Sequence, residues 1–261
     1  MFYLHCHTDT AAGKQDMLKS ARAFANTVFC LFWTFLCFFP ATLALCLGRR
    51  GWYSHQVVRH LWVRGMLWFC GIKVVASGVE NSTAALPCVF ASNHQSLFDI
   101  PAVFHATAVN LRFVAKKSLF YIPFFGPYLA LAGYISVDRK NRERAIRSLD
   151  GAAEKIRRGI PIISFPEGTR SPDGAVQRFK KGAFMLALKA GVPVVPVSIS
   201  GSNRVLPKKT WLVRPGTIRI HFAPPVDTAS FGMERRDELM EEVRNIILQN
   251  KKLLDEGREC L

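Results

Sequence analysis

Acidic residues are scarce. Asp and Glu number 19 against 35 Lys and Arg, a formal charge of +16 over 261 residues. Such an excess fits an anionic partner, either nucleic acid or the surface of an anionic membrane. No RNP-like, zinc-finger or helix-turn-helix pattern is present, so no nucleic-acid partner is expected. The apolar bias favours a membrane instead: 49% of residues are hydrophobic, 20 of them Phe, and the mean hydropathy is slightly positive. No CxxC pair or disulfide-framework spacing links the seven cysteines, Cys6, Cys30, Cys37, Cys46, Cys70, Cys88 and Cys260. They read as reduced, small hydrophobes, which places the catalytic part in a reducing compartment. No metal site is expected, since the alternating His5-Cys6-His7 near a free terminus is a poor cage for an ion. A serine-esterase elbow is also missing, because Ser200-Gly201-Ser202 lacks the GxSxG frame. Repeats and low-complexity segments are absent, and the length suits one α/β domain with an appendage.

Residues 1–20 are polar or weakly patterned and are expected to be disordered, with Met17 a plausible alternative start. From Ala23 to Gly48 no residue is charged, and the core Val28–Leu47 is long enough to cross a bilayer as a helix. Pro40 would kink it. Lys19 and Arg22 flank one end and Arg49, Arg50, Trp52 and Tyr53 the other, so positive charge on both sides leaves open a span, a hairpin on one face, or a helix held in one leaflet. Arg49-Arg50 stands where a signal-peptide cleavage site would lie, which argues against a cleaved leader. Next, Val57–Phe69 sets aromatic and aliphatic residues among Arg59, His60 and Arg64, as in an amphipathic helix at a headgroup boundary. Residues 21–70 are therefore predicted to be a two-helix membrane anchor, and residues 71–261 a catalytic domain.

Strand-like apolar runs recur at Ile72–Ala76, Cys88–Ala91, Leu111–Ala115, Tyr134–Val137, Pro161–Phe165, Val194–Ser198 and Ile218–Phe222. Helical stretches lie between them at Ile100–Ala108, Arg142–Arg157 and Lys181–Ala190. This alternation predicts an α/β fold, a mixed and largely parallel sheet flanked by helices. A last helix, Glu234–Asn250, is expected to cover the sheet with Leu239, Val243, Ile246 and Ile247.

The candidate chemistry begins at Asn93-His94-Gln95-Ser96-Leu97-Phe98-Asp99, a turn from strand to helix where ligands of open α/β sheets gather. At this spacing the Asp99 carboxylate can fold back on the His94 imidazole, fix its tautomer and stabilise the imidazolium. With no nucleophilic serine or cysteine in the motif, an oriented base suits direct activation of a substrate hydroxyl. Two more strands end in charged groups, Gly133–Arg139 and Phe165–Ser171. Arg139 and Arg170, with Lys116 at the end of a third, make a cationic rim suited to a dianion such as phosphate. Gly168 allows a sharp turn or close approach, and Glu167 could brace it or orient Arg170. The aromatic stretch Leu119–Phe125 and Tyr128–Leu131 is a candidate wall for an apolar chain. Lys208–Arg214 interleaves bases with Trp211 and could touch a membrane.

These residues resemble the lysophosphatidic acid acyltransferase family (1-acylglycerol-3-phosphate O-acyltransferases) of glycerolipid acyltransferases. The resemblance rests on NHQSLFD at Asn93–Asp99, GYISVDR at Gly133–Arg139, FPEGTR at Phe165–Arg170 and VPVVPV at Val192–Val197. The pieces Lys116–Leu119 and Phe179–Gly182 fit as well, although Ser118 departs from the family's frequent glutamate. The resemblance implies transfer of a fatty acyl group from acyl-CoA or acyl carrier protein to the sn-2 hydroxyl of 1-acylglycerol 3-phosphate. It makes His94 and Asp99 catalytic, and Lys116, Arg139, Glu167, Gly168, Thr169 and Arg170 substrate-binding, with no metal and no cofactor beyond the acyl donor. It implies work at an anionic membrane with the catalytic domain on the cytoplasmic face, the inner membrane in a bacterium. Another lysophospholipid, a lyso-aminolipid or glycerol 3-phosphate remains an alternative acceptor.

Overall fold

The strand-like runs converge on one sheet in the computed structural model, which describes residues 6–48, 51–137 and 142–260. Strands β1 (Ile72–Ser77), β2 (Val89–Ser92), β3 (Arg112–Lys116), β4 (Ile135–Val137), β5 (Ile162–Ser164), β6 (Val194–Ser200) and β7 (Gly216–Phe222) pair in the order β1-β7-β6-β2-β5-β3-β4. Every pairing is parallel except β6 with β7, so β1 and β7 run against the other five. The expected mixed, largely parallel sheet is the observed one.

Burial explains why these segments became strands. All four residues of β2 and all seven of β6 are buried, as strands covered on both faces must be, and such strands read as continuous apolar runs. Alternate residues serve opposite faces. Phe90, Val195, Val197 and Ile199 join one core cluster, while Val89, Ala91 and Val194 join the other. Each buried Val, Ile or Phe adds roughly 1.5–3 kcal/mol to the drive for folding. Pro196 sits in this central strand without harm. Its carbonyl accepts the Ala223 N–H just past the last β6–β7 pair, so its nitrogen faces the side where the β7 ladder has ended.

The helices are α1 (Cys6–Leu45), α2 (Trp52–Val57), α3 (Arg64–Cys70), α4 (Asn81–Ala84), α5 (Asp99–Ala106), α6 (Phe125–Leu131), α7 (Arg142–Arg157), α8 (Gly182–Ala190), α9 (Ser202–Val205) and α10 (Arg236–Glu256). A π-helical turn, Val58–Val63, joins α2 to α3 without a break. Helices α7, α8 and α10 cover one face of the sheet, with Leu239, Val243 and Ile247 of α10 buried as expected. On the other face lie α3, α5 and α6, and beyond them α1.

Helix α1 corrects one expectation. Residues 1–5 lie outside the described residues, but Cys6–Ser20 are helical where disorder was predicted. Ala11, Ala12, Lys14, Gln15, Met17, Leu18 and Lys19 are good helix formers. Once the apolar stretch has nucleated a helix, extending it through such residues is inexpensive. From Ala23 onward one stripe faces the protein: Ala23, Asn26, Cys37, Ala41 and Ala44 are buried and Cys30 and Trp33 half-buried. Their three- and four-residue spacing is that of one helix face. α1 runs antiparallel to α2–α3, with Phe29 stacked on Phe69 at 3.7 Å and the Trp33 indole N–H donating to Trp62 O at 3.1 Å.

Candidate active site

β2 delivers the first motif to the carboxyl edge of the sheet, and Asn93 fixes its exit. The Asn93 carboxamide donates to Ile199 O and accepts from Ile199 N, both at 2.8 Å, and so extends the β2–β6 ladder by a side chain. The chain then turns, and Asp99 opens α5 completely buried. Asp99 Oδ2 accepts from the amides of Gln95 (2.7 Å) and Ser96 (2.9 Å), and pairs with His94 Nδ1 at 2.7 Å. Among the described residues Asp99 Oδ1 has no hydrogen-bond partner. The contact places the imidazole proton on Nδ1 and leaves the Nε2 lone pair for a substrate proton. The His94 side chain keeps 15% of its surface exposed, and its ring lies on Phe165 at 4.2 Å and 21°.

Phe165 belongs to the loop after β5, the next strand in the sheet, and that loop grips His94 by its backbone. Glu167 Oε1 accepts the His94 N–H at 2.8 Å, and Ser171 N–H donates to His94 O at 2.7 Å. The first and third sequence blocks are thus joined through the backbone of His94 itself. Glu167 was grouped with the substrate-binding residues, yet its carboxyl is buried and turned to His94 rather than outward. Burial pushes its pKa up to about 7. The amides of His94 and Gln177 pull the other way, nearby Asp99 adds to the rise, and Arg244 opposes it. Glu167 Oε2 has no partner among the described residues.

The described part of the predicted rim sits on neighbouring strand ends. Gly168 turns with φ +75, a left-handed conformation that suits glycine. A Cβ there would meet Lys180 Nζ at 2.9 Å, so the Lys180 ammonium lies over the FPEGTR turn. Lys180 lies outside the predicted site residues, within the FKKG piece Phe179–Gly182. Thr169 is exposed and Arg170 half-buried, and Lys116 closes β3 exposed. Neither Lys116 nor Arg170 nor Lys180 makes an ion pair among the described residues. Arg139, just past β4, lies outside the described residues. In the sheet order β2-β5-β3 the strands that lead to His94, Arg170 and Lys116 follow one another, so these three lie along a single edge.

The aromatic stretch proposed as a chain wall forms a short 3-10 turn, Lys117–Tyr121, and α6. It is only partly core: Leu129 is buried, whereas Tyr121, Phe124 and Leu131 are each more than 70% exposed. This arrangement can take a proton at Nε2 from a hydroxyl held against a cationic edge, beside an apolar surface. The one serine of the motif, Ser96, is fully buried and donates its hydroxyl to Leu206 O at 2.9 Å rather than standing at His94 as a nucleophile.

Comparison with known proteins agrees with the geometry. The acyltransferase family model matches residues 73–200. The chain is 32% identical to the 1-acyl-sn-glycerol-3-phosphate acyltransferase BAT2, chloroplastic, of Brassica napus, over 77% of this chain and 57% of that protein. It is also 32% identical to the 1-acyl-sn-glycerol-3-phosphate acyltransferase of Pseudomonas aeruginosa, over 85% of this chain and 83% of that one. The crystal structure of the 1-acyl-sn-glycerophosphate (LPA) acyltransferase PlsC from Thermotoga maritima superposes with a TM-score of 0.74 at 32% identity, covering 93% of this chain and 97% of that one. The chain thus spans a little over half the length of the Brassica napus relative and nearly all of the Thermotoga maritima one.

Proposed function

Because the chain belongs to the 1-acyl-sn-glycerol-3-phosphate acyltransferase family, we propose that it moves a fatty acyl group from a thioester donor to the sn-2 hydroxyl of 1-acylglycerol 3-phosphate, giving phosphatidic acid. The observation that carries this reading is the His94–Asp99 pair, with Nδ1 engaged and Nε2 left for the substrate. His94 Nε2 takes the hydroxyl proton as the oxygen attacks the thioester carbonyl. The tetrahedral intermediate collapses, the C–S bond breaks, and the imidazolium proton passes to the departing thiolate. Atoms balance without an acyl-enzyme, a metal or a prosthetic group. Acyl-CoA or acyl carrier protein would supply the donor.

Lys116 and Arg170, with Lys180 and Arg139, are the cations we assign to the acceptor phosphate, whose oxygens match guanidinium and ammonium donors. Gly168 and Thr169 shape the turn that carries Arg170. Glu167 acts on the base rather than on the substrate. A lipid acceptor also requires a membrane. α1 is apolar and long enough to cross one, and its outward face carries Phe24, Leu31, Phe32, Phe35, Phe39 and Leu43 exposed. We place the protein on an anionic membrane with the catalytic domain facing the cytoplasm, a side suited to seven cysteines without disulfide-framework spacing.

Purified protein given acyl-CoA and 1-acylglycerol 3-phosphate tests the reading. His94→Ala is expected to lose roughly 10²–10⁴-fold in turnover, the usual share of general base catalysis. Undiminished transfer by His94→Ala would sink the mechanism. Transfer by wild type only to another lyso-lipid or to glycerol 3-phosphate would replace the acceptor.

A further inference from the structure

The loop between α9 and β7 touches both the catalytic motif and the first turns of the apolar helix. Its base is closed by the Arg214 N–H on Val205 O at 2.9 Å. On one side the Ser96 hydroxyl, inside the His94 motif, donates to Leu206 O at 2.9 Å. On the other side α1 holds the loop with two polar residues at the start of its apolar run. The buried Asn26 carboxamide donates to Val213 O at 3.1 Å, and the Thr27 hydroxyl lies 2.5 Å from Trp211 O and accepts the Val213 N–H at 3.1 Å. The loop therefore bridges the motif and the helix at the level where that helix turns apolar.

What the loop shows to solvent is unusual for a strut. Trp211 is 78% exposed, Lys209 and Arg214 are exposed and Lys208 is half-buried. More cations gather beside it. A Cβ on Gly71 would meet the Arg22 guanidinium at 3.0 Å and Pro215 at 3.4 Å, so Arg22 reaches the foot of the loop, and exposed Lys73 follows on β1. The segments that build this side bring no acid to it: the sequence has no Asp or Glu from Met17 to Val79, nor from Gly174 to Val226. The 19 acids are confined to the remaining segments. An indole among lysines and arginines, level with the start of an apolar helix, has the chemistry of a membrane–water boundary.

We propose that residues 207–214 form a second membrane contact, with Trp211 among the lipid headgroups and Lys208, Lys209 and Arg214 on the phosphates of anionic phospholipids, so that the His94 loop is held at a set height over the bilayer. The contact rests on the lipid acyltransferase reading and adds to it a surface separate from the α1 anchor. Each cation near an anionic surface strengthens partition about five-fold, and the effect fades with salt.

The test uses the full-length protein, floated with vesicles of phosphatidylcholine alone or of phosphatidylcholine with phosphatidylglycerol, at low and high salt. The double variant Lys208→Glu with Lys209→Glu is expected to lose about 25-fold or more of its low-salt partition onto the anionic vesicles, taking about five-fold per charge. Its binding to neutral vesicles, and its acyl transfer to lipid in neutral detergent micelles, should match wild type. The milder pair Lys208→Gln with Lys209→Gln guards against misfolding and should show a smaller loss of the same kind. Trp211 emission, taken as the difference between wild type and Trp211→Phe, should be quenched by lipids brominated near the headgroup. Wild-type partition by the charge variants would overturn the proposal, and so would an unquenched Trp211. An equal fall of turnover in micelles would overturn it too, since the loop would then only prop the motif. Failure of wild type to transfer acyl groups in micelles counts against the reaction alone and leaves the flotation result standing.

Discussion

Glu167 is placed where its ionisation and the posture of His94 are tied together. Its carboxyl accepts the buried amide of His94, and burial raises its pKa to about 7 from an ordinary 4.5. A carboxyl whose folded pKa is raised binds its proton more readily in the folded state. Its contribution to stability is complete below about 4.5 and is lost as pH rises through about 7. Glu167→Gln keeps an acceptor for the His94 N–H and has no proton to lose. Thermal melting in detergent across that window should show wild type losing stability relative to Glu167→Gln as pH rises, and a constant gap would refute the linkage. Glu167→Ala, by contrast, strands a buried amide and should cost about 1–3 kcal/mol below pH 4.5, a gap that narrows as wild type ionises through about 7. The His94–Asp99 pair was legible in the sequence, because a spacing of four residues at a strand-to-helix turn brings the groups together almost regardless of context. Glu167 was not. Glutamate beside Gly, Thr and Arg looks like a solvated loop residue, and only the packing of β2 against β5 turns it inward.

Among the elements, the contact between α1 and the α2–α3 run depends on one missing side chain. A Cβ on Gly65 would fall 2.6 Å from the Trp33 indole, and that indole donates to the carbonyls of Leu61 and Trp62. Those carbonyls lie in the π-helical turn, where the widened hydrogen-bond ladder leaves acceptors for an outside donor. Gly65→Ala gains helix propensity yet should destabilise the protein in detergent by about 1–3 kcal/mol, the usual cost of overpacking. An unchanged or higher melting temperature would show that Trp33 gives way freely. The seven strands were readable because buried parallel strands are short apolar runs bounded by Gly, Pro or charge, and the predicted ends fall within two residues of the observed ones. Their order was not readable, since β2 lies between β6 and β5, neither its neighbour in sequence. The π-helical turn and α6 were also missed, because one extra residue per turn and a seven-residue helix leave almost no periodic trace.

For the whole molecule, the question left open by charge on both flanks of the apolar run concerns orientation. α1 packs along the domain from Asn26, beside Cys70, to Leu45, beside Gly51, and Gly51 in turn lies against the guanidinium of buried Arg112. A perpendicular crossing would carry Arg59, Arg64 and the Arg112 end of the sheet into hydrocarbon, at roughly 2.5–3.5 kcal/mol per charge. The exposed face of Phe24, Leu31, Phe35, Phe39 and Leu43 instead suits a helix lying in one leaflet. We expect protease sites introduced beside Lys14 and beside Gly48 to be cut from the same side of sealed vesicles, and protection of either one alone would establish a span. Helix α3 ends at Cys70 and β1 starts at Ile72, so a single residue, Gly71, links the helix to the sheet along the chain. A joint that short has no slack: under the membrane placement proposed above, the molecule would not swing or bob like a tethered enzyme, and the distance from bilayer to His94 would be a fixed dimension of the fold, to which each lipid would itself adjust by rising out of the leaflet.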